Sequence, residues 1–597
     1  MHKSPSFLSL SFIKGQKIFF SPFLISFMLG GDPINIDGLF EDWDEVPVLY
    51  SDQYGDAISA DYSSLKITYD SEFLFIYFKF HDDEFLMQDW NDFHLYIDAD
   101  NDSSTGSTFH GIGAELEWTF GERSGYKYSN GQQTELYQND ISLRIAPTIT
   151  SMEFEIAIAR ESSALTIDGS QSITQGRIIL TEASASGDLI PDESGGVLFS
   201  IFEDEVLPPE PIALDRLNDS DIRIVSYNTL NEGILDDDRE AHFKRIIQTL
   251  DPDVIALQEH GEWEEIDDVI QSWFPNQQWH ASWTYRDLVV LSRFSIIDDA
   301  NMISSERTMA ALLDTESELG KNLLIFNSHL SCCSNNDDRQ QQADEFAGAW
   351  RDWVQNDSGP FYLEDSTPFI HVGDFNYVGY SQQVRTIVSG DIENEADYGD
   401  DFLPDWDGTD IIDLFSRHTH KRMGYTWRSD GSSFNPGKLD YVFYSDATID
   451  TGKHYILNTI AMDDATLDYY GLEWNDTQEA SDHLPIVLDI LVNDDIGIDG
   501  TKLLPNEVSL HFNHPNPFNS STIISIFLSE PSQVELSVYD SVGKLVNRLF
   551  QGKKSYGHHS VNWNGTNEKG QDVASGVYFY MLVVNEIEYA GKMILLK

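Results

Sequence analysis

Between residues 221 and 495, short apolar strands repeatedly end on carboxylates, amides and imidazoles, and this pattern constrains the chain more than any other feature. "IRIVSYNTL" reads as a strand, Arg239 to Leu250 has helical spacing, "DPD" breaks it, and "VIALQE" is a second buried strand. "NLLIFNSHL" adds a strand, "RQQQADEFAGAWRDWVQ" a helix, and "PFIHVGDFN", "KLDYVFYS" and "PIVLDI" three more strands. Alternating strands and helices demand a layered α/β domain, whose site lies at the strand ends. Those ends carry Asn228, Glu259, His329, Asp374, Asn376, Asp440, Asp482 and His483. A lone polar residue there is ordinarily a cap or a satisfied turn, but eight together point to a site. Carboxylates and amides without cysteine suit a hard cation such as Mg²⁺ or Mn²⁺, which neutralises charge on a phosphoryl oxygen.

The motifs "SYNTL", "ALQEH", "NSHL", "VGDFN", "KLDYVF" and "SDHLPI", in this order over residues 221–493, resemble the endonuclease/exonuclease/phosphatase superfamily, the DNase I-like fold. The resemblance implies a four-layer α/β sandwich and a metal-dependent phosphoric ester hydrolase. It assigns the divalent metal to Glu259, supported by Asn228 and Asp482, and the attacking water to Asp374. Asn376 would hold the phosphate, and His329 would stabilise the phosphorane or protonate the leaving oxygen. His483, oriented by Asp440, would act as general base or phosphate clamp; whether it or Asp374 takes the proton stays open. The pair Arg339 and Gln342 would orient the loop after His329. Cys332 and Cys333 read as small loop residues, surplus to a metal and water mechanism. Superfamily members cleave DNA, RNA, phospholipids and other phosphoesters, so the substrate stays open too.

Charge narrows the recognition problem. Residues 221–495 carry 17 basic against 54 acidic residues, −37, within a chain whose formal net charge is −65. That excludes a broad basic nucleic-acid-binding face. One basic cluster exists, Arg417, Lys421, Arg422 and Arg428, interleaved with His418, His420, Tyr425 and Trp427. It either faces substrate, binding phosphates and stacking bases, or contains a core strand "YTW" whose arginines balance nearby acids.

Residues 32–206 show short alternating apolar runs separated by turns, the pattern of an antiparallel sandwich. "INIDGLFEDWDEVP", "SLKITYDSEFLFIYFKFHD" and "FHLYIDADNDSSTG" resemble carbohydrate-binding module family 9, which implies a glycan partner bound through exposed tryptophans, here Trp43, Trp90 and Trp118. Core packing is the competing role for each. In "DADNDSSTG", Asp98, Asp100 and Asp102 alternate, so their oxygens either collect one Ca²⁺ or solvate a turn.

The organisation expected is therefore multidomain. A central four-layer sandwich at 221–495 is flanked by an N-terminal β-sandwich at 32–206, a linker at 207–220 and a small C-terminal β-sandwich at 504–597. Lys3, Lys14 and Lys17 precede an uncharged apolar run from Ile18 to Leu29, which reads as a signal peptide over 1–31, too short for a conventional transmembrane helix. The last module is near neutral, with 8 basic and 9 acidic residues after 495. Its "NHPNPFNSSTIISIFLSEPSQVELSVYDSVGKLV" and "ASGVYFYML" resemble the type A sorting domain of type IX secretion, which implies that machinery as a partner and a secreted or cell-surface location. Only two adjacent cysteines occur, so no disulfide framework supports the chain outside the cell. Two enzyme readings remain, a nuclease and a phospholipid or small phosphoester hydrolase, beside a glycan-binding surface protein with an inactive centre.

Overall fold

The computed structural model describes residues 34–492 and 508–595, apart from 90, 168–170, 185–186, 202–208, 262, 285, 511–517, 519–521, 529–531, 541–543, 555–556, 568, 570, 572 and 585–586. The expected leader, Trp90 and the first two residues of the expected linker lie outside the described residues. The chain divides into two compact units, Met1–Asp494 and Asp495–Lys597.

In the first unit, the N-terminal part forms two main sheets. Strands Val48–Ser51, Tyr62–Tyr69, Phe73–Phe80, Glu153–Ala159 and Arg144–Ala146 pair antiparallel in that order. The other sheet runs Leu189–Ile190, Gln175–Glu182, Phe93–Asp98, Leu116–Thr119, Ser124–Ser129 and Gln132–Leu136. Leu74, Ile76, Phe78 and Phe80 share one core with Leu95, Ile97, Leu116, Trp118, Ile178 and Leu180. Every second residue of a strand faces the same way, so one set closes this core. The alternate residues Phe75 and Tyr77 instead join a cluster with the α/β domain that follows. This double burial explains the unbroken apolar run "FLFIYFKF". Of the roles weighed for the tryptophans, the structure shows core packing for two. Trp43 is 1% exposed and donates its indole N–H to Glu155 at 2.9 Å, and Trp118 is fully buried, so neither ring offers a face to a glycan.

The following domain holds two six-stranded sheets. One is ordered His280–Trp283, Val289–Ser292, Val254–Gln258, Ile222–Asn228, Ile486–Ile490, Thr451–Ile456; the other Ile296–Asn301, Thr308–Leu313, Leu323–His329, Phe369–Asp374, Asp440–Tyr444, Ile412–Asp413. Ile224, Val254, Ala256 and Val290 of the first sheet meet Ala311, Ile325, Ile370 and Val442 of the second in one apolar layer. Helices cover the outer faces. Glu240–Leu250 buries Phe243, Ile246, Ile247 and Leu250, the i, i+3, i+4, i+7 stripe, against the first sheet. The long helix Asn336–Asn356 packs Phe346, Trp350 and Trp353 against the second. Layer order is thus helix, sheet, sheet, helix.

The N-terminal part grips the α/β domain at the loops that flank its strand ends. The Thr148 hydroxyl, buried at 6% exposure, lies 3.0 Å from the Tyr377 carbonyl and 3.1 Å from that of Lys438. Thr150 N–H donates to Gly379 O at 2.8 Å, and Ile36 forms a parallel bridge with Met423. Tyr377 follows Asn376 by one residue and Lys438 precedes Asp440 by two, so Thr148 clamps both loops. Thr148→Val leaves those carbonyls without the hydroxyl and is expected to cost about 1–3 kcal/mol. A urea titration checks this, and unchanged stability would show the clamp to be idle.

In the second unit, Val508–Leu510, Thr522–Leu528 and Gly557–Trp563 form one sheet, and Leu545–Lys554, Ser532–Asp540, Gly576–Val584 and Ile587–Leu595 another. Val534, Leu536 and Val538, at period two, share a core with Ile524, Ile526 and Trp563. Both ends of the chain are therefore β-rich around a central α/β domain.

Candidate active site

Strand register assembles the site. In the second sheet His329 pairs with Asp374 and Asp374 with Asp440, so three strands deliver three functional groups in one row. Gly373 makes the approach feasible: it adopts φ +137°, and a Cβ there would lie 2.0 Å from Ser328 O. In the first sheet Asn228 pairs with Gln258, which brings Glu259 beside it. His483 enters from the turn before Ile486–Ile490, where Ser481 Oγ accepts from His483 N–H at 3.1 Å and donates to Asn228 O at 2.9 Å. A buried amide bridge holds the two sheets together beneath the site. Gln258 donates to Asn327 Oδ1 at 2.7 Å, and Asn327 donates to the carbonyls of Leu257 and Val289.

Asp374 is the hub. Its Oδ2 accepts from Asn228 Nδ2 at 2.9 Å and lies 3.6 Å from His483 Nε2 and 3.8 Å from His329 Nε2. Each imidazole is braced from behind by another carboxylate, His483 Nδ1 by Asp440 at 2.8 Å and His329 Nδ1 by Asp287 at 2.7 Å. The result is a chain of three carboxylates with two imidazoles between them. Burial opposes charge on His483, but Asp440 and Asp374 outweigh it and push its pKa up to about 10. His329 is raised as well, burial again being outweighed by the hydrogen bond to Asp287 and by the Asp374, Asp287 and Glu259 charges. Burial lifts Asp374 to about 6, with His483 opposing.

Glu259 Oε1 accepts from Asn228 at 3.1 Å and Oε2 from Asn231 N–H at 3.0 Å. Asn228 turns its own oxygen to Leu230 N–H at 2.9 Å, so as placed it orients the two carboxylates. Asp482 Oδ2 accepts from Trp427 Nε1 at 3.0 Å, while Oδ1 is buried without a hydrogen-bond partner. An orphaned carboxylate oxygen, beside a site where Glu259, His329 and Asp374 bring ligand atoms within 4.8 Å of one another and no thiolate takes part, fits a divalent hard cation. Glu259 with Asp482 would hold it. Left-handed backbone concentrates here, at Leu230, Asn231, Glu232, Glu259 and Asn376, as it does where chain direction is set by function. Asn376 donates its amide to Leu330 O at 3.2 Å and so ties its loop to the one after His329. Arg339 and Gln342 fix that loop from the helix, through the carbonyls of Ser331 and Cys333 and the Ser331 N–H and hydroxyl. Cys332 and Cys333 are exposed.

The basic cluster is not brought together with these groups. Arg417 donates to the carbonyls of Glu210 and His418, Lys421 pairs with Glu72 of the N-terminal part at 2.5 Å, and Arg422 faces the charge of Asp70. These three residues serve the linker and the seam between domains. "YTW" is not a strand; Trp427 only bridges Gly437 and His483. Arg428 alone stays beside the site, its N–H on Asp482 O at 2.8 Å and its guanidinium on Asp430. Two basic residues absent from the sequence reading take the opposite rim. Arg307 donates to His329 O at 2.8 Å, and exposed Arg286 acts on both Arg307 and Asp287. Asp287 was also missed there, although "RDLVVLS" shows the same polar-residue-at-strand-end signal as the others.

In the N-terminal part, Asp102 departs from the expected trio. It is exposed, and its Oδ1 accepts from Ser104 N–H and Oγ at 2.9 and 2.6 Å.

Residues 225–483 match the Endonuclease/Exonuclease/phosphatase family, and residues 516–586 match the FlgD Ig-like domain. No curated protein matches the chain. Solved structures similar to it include the human Nocturnin catalytic domain, with 15% identity over 47% of this chain and 97% of that one and a TM-score of 0.29. D. rerio TDP2 complexed with single-strand DNA product shows 15% identity over 46% and 100%, TM-score 0.30. An endonuclease/exonuclease/phosphatase family protein from Leptotrichia buccalis C-1013-b shows 15% identity over 45% and 99%, TM-score 0.31. Residues 225–483 of this chain are an endonuclease/exonuclease/phosphatase family domain, the DNase I-like fold.

Proposed function

We propose that this domain is a divalent-metal-dependent phosphodiesterase, with nucleic acid as its first candidate substrate. The observation that carries the reading is Asp374 held between two carboxylate-braced imidazoles with the Glu259 carboxylate beside it. A cation bound there, Mg²⁺ or Mn²⁺, would neutralise charge developing on the phosphoryl group. Asp374, ionised, accepts the proton of the attacking water. His483 and His329, held cationic by their carboxylates, face the phosphoryl oxygens and stabilise the added negative charge. Asp440 and Asp287 fix the imidazole orientations, so that Nε2 of each points to the reacting region. Hydrolysis of bis(p-nitrophenyl) phosphate, plasmid DNA, RNA and sphingomyelin with Mg²⁺ or Mn²⁺ tests the reading. Inactivity on every diester with either cation overturns it.

The second reading, a phospholipid or small phosphoester hydrolase on the same site, is favoured by the placement of the basic residues. With Arg417, Lys421 and Arg422 committed to the seam, few cations remain to neutralise the flanking phosphates of a polymer. Arg286→Ala is expected to raise KM several-fold with kcat nearly kept, whereas Lys421→Ala leaves KM within about twofold. Equal KM effects on a polynucleotide would return the basic cluster to substrate binding.

Export belongs to the same proposal. The Ile18 to Leu29 run and the C-terminal motifs support a secreted or surface protein handled by type IX secretion. Intact mass of protein from culture medium tests it, with loss of residues up to about 31 and of the module from about 504 expected.

A further inference from the structure

We propose that the loop after strand Phe93–Asp98 binds one hard divalent cation, calcium by its donor chemistry, through the carboxylates of Asp98, Asp100 and Glu115. The sequence pattern offers Asp98, Asp100 and Asp102; the tertiary structure exchanges Asp102 for Glu115, a residue from the far side of a hairpin.

The strongest observation is Asp98. It is 1% exposed, its Oδ2 accepts a long hydrogen bond of 3.4 Å from Gly113 N–H, the backbone N–H groups of Asn101 and Asp102 turn toward the same carboxylate, and its Oδ1 is buried with no hydrogen-bond partner. A buried carboxylate oxygen left open is unfavourable unless a cation meets it. Glu115 sits between Ile112–Ala114 and Leu116–Thr119, and its Oε2 accepts from Ala99 N–H at 2.9 Å. That bond carries its carboxylate to the backbone between Asp98 and Asp100. The Thr105 hydroxyl, 3.1 Å from both oxygens of Asp100, closes the loop over the group.

The three acids meet no compensating base. Among the described residues none of them forms an ion pair, and the neighbouring Arg177 gives its guanidinium to Asn101 Oδ1 and to the carbonyls of Gly195 and Gly196.

The loop is also pre-formed, unlike a solvated turn. Asn101 takes φ +55° and Gly106 φ +62°. A Cβ on Gly106 would lie 2.3 Å from Ala114 O, and one on Gly113 would lie 2.2 Å from Thr105 O. The loop is therefore pressed onto the strand that delivers Glu115, so its backbone is ordered before a cation arrives. Carboxylates on a curved loop suit the flexible six- to eight-oxygen shell of Ca²⁺ better than the strict octahedron of Mg²⁺.

Calorimetric titration of the full chain with CaCl₂ tests the assignment. Glu115→Gln, which keeps an oxygen for Ala99 N–H, and Asp100→Asn should each bind one Ca²⁺ equivalent fewer than wild type, or bind it at least about tenfold more weakly. Asp102→Ala should stay within about twofold of wild type. The acidic group of Asp52, Asp56 and Asp192 elsewhere in this module is untouched by these changes, so any binding it contributes cancels in the comparison. Unaltered titration of both Glu115→Gln and Asp100→Asn overturns the site. So does a loss in Asp102→Ala equal to theirs, which would return the ligands to the sequence-local trio. Circular dichroism on each variant confirms that the fold is retained.

Discussion

Asp374→Asn and His483→Ala are each expected to lower phosphodiester hydrolysis by on the order of 10²–10⁴-fold, because each removes a group that moves a proton or meets charge in the transition state. Thermal unfolding should shift little. Both side chains are buried, but they face one another and the strand-end cleft, and neither fills an apolar core cluster. Asp374→Asn also weakens the counter-charge on His483, so the pair is expected to be non-additive. A double variant should fall well short of the product of the two single losses. In the wild-type protein the same acceptor fixes the acid limb of the pH profile. Asp374 is raised to about 6, so proton uptake removes the base and kcat/KM falls as pH drops through about 6. Chelation by EDTA should silence the enzyme and Mg²⁺ or Mn²⁺ restore it. Full activity in either variant would remove Asp374 and His483 from the chemistry and leave the row of strand ends without its function.

The largest stability effect is expected at the opposite end of the same strands. Arg223 pairs with Asp489 across Ile222–Asn228 and Ile486–Ile490, with hydrogen bonds of 2.6 and 2.8 Å, at 2% and 0% side-chain exposure. The guanidinium also donates to Leu214 O at 2.7 Å and Leu250 O at 2.9 Å, and so joins the preceding linker, a helix end and two strands. Asp489→Ala strands that cation away from water and is expected to cost about 3–5 kcal/mol. Arg223→Met with Asp489→Leu removes both charges and should recover part of this loss. Recovery stays partial because two buried carbonyls then lose their donor. Urea unfolding of the three variants measures the difference. A single variant as stable as wild type would show that water reaches the pair. The catalytic rate at saturating substrate should change far less than stability, since the row from His329 to Asp440 belongs to the other sheet.

Local patterning along the chain is enough to locate the strand ends and therefore the inventory of the site. Apolar runs with period two or continuous burial end on Asn228, Glu259, His329, Asp374 and Asp440, and local steric and hydrophobic rules fix where such runs begin and stop. The turn "SDH" places His483 before an apolar run for the same reason. Burial on both faces is written into "FLFIYFKF", but not what covers the second face. Which residues meet across long separations follows from the packing of strands and sheets and from nothing local. Asp287 braces His329 because the two sheets pack face to face, and Glu115 lies on Ala99 because its strand pairs with Phe93–Asp98; no local pattern encodes either partner. Trp43, in the turn Glu41–Trp43, and Trp118, on a strand, are both buried by tertiary packing, which no local pattern around either tryptophan encodes. Arg417, Lys421 and Arg422 read as a phosphate-binding cluster because they are close in sequence, yet their side chains diverge to Glu210, Glu72 and the side of Asp70. Charge acts over distances in space, and the seam between two domains, invisible along the chain, is where those distances are set.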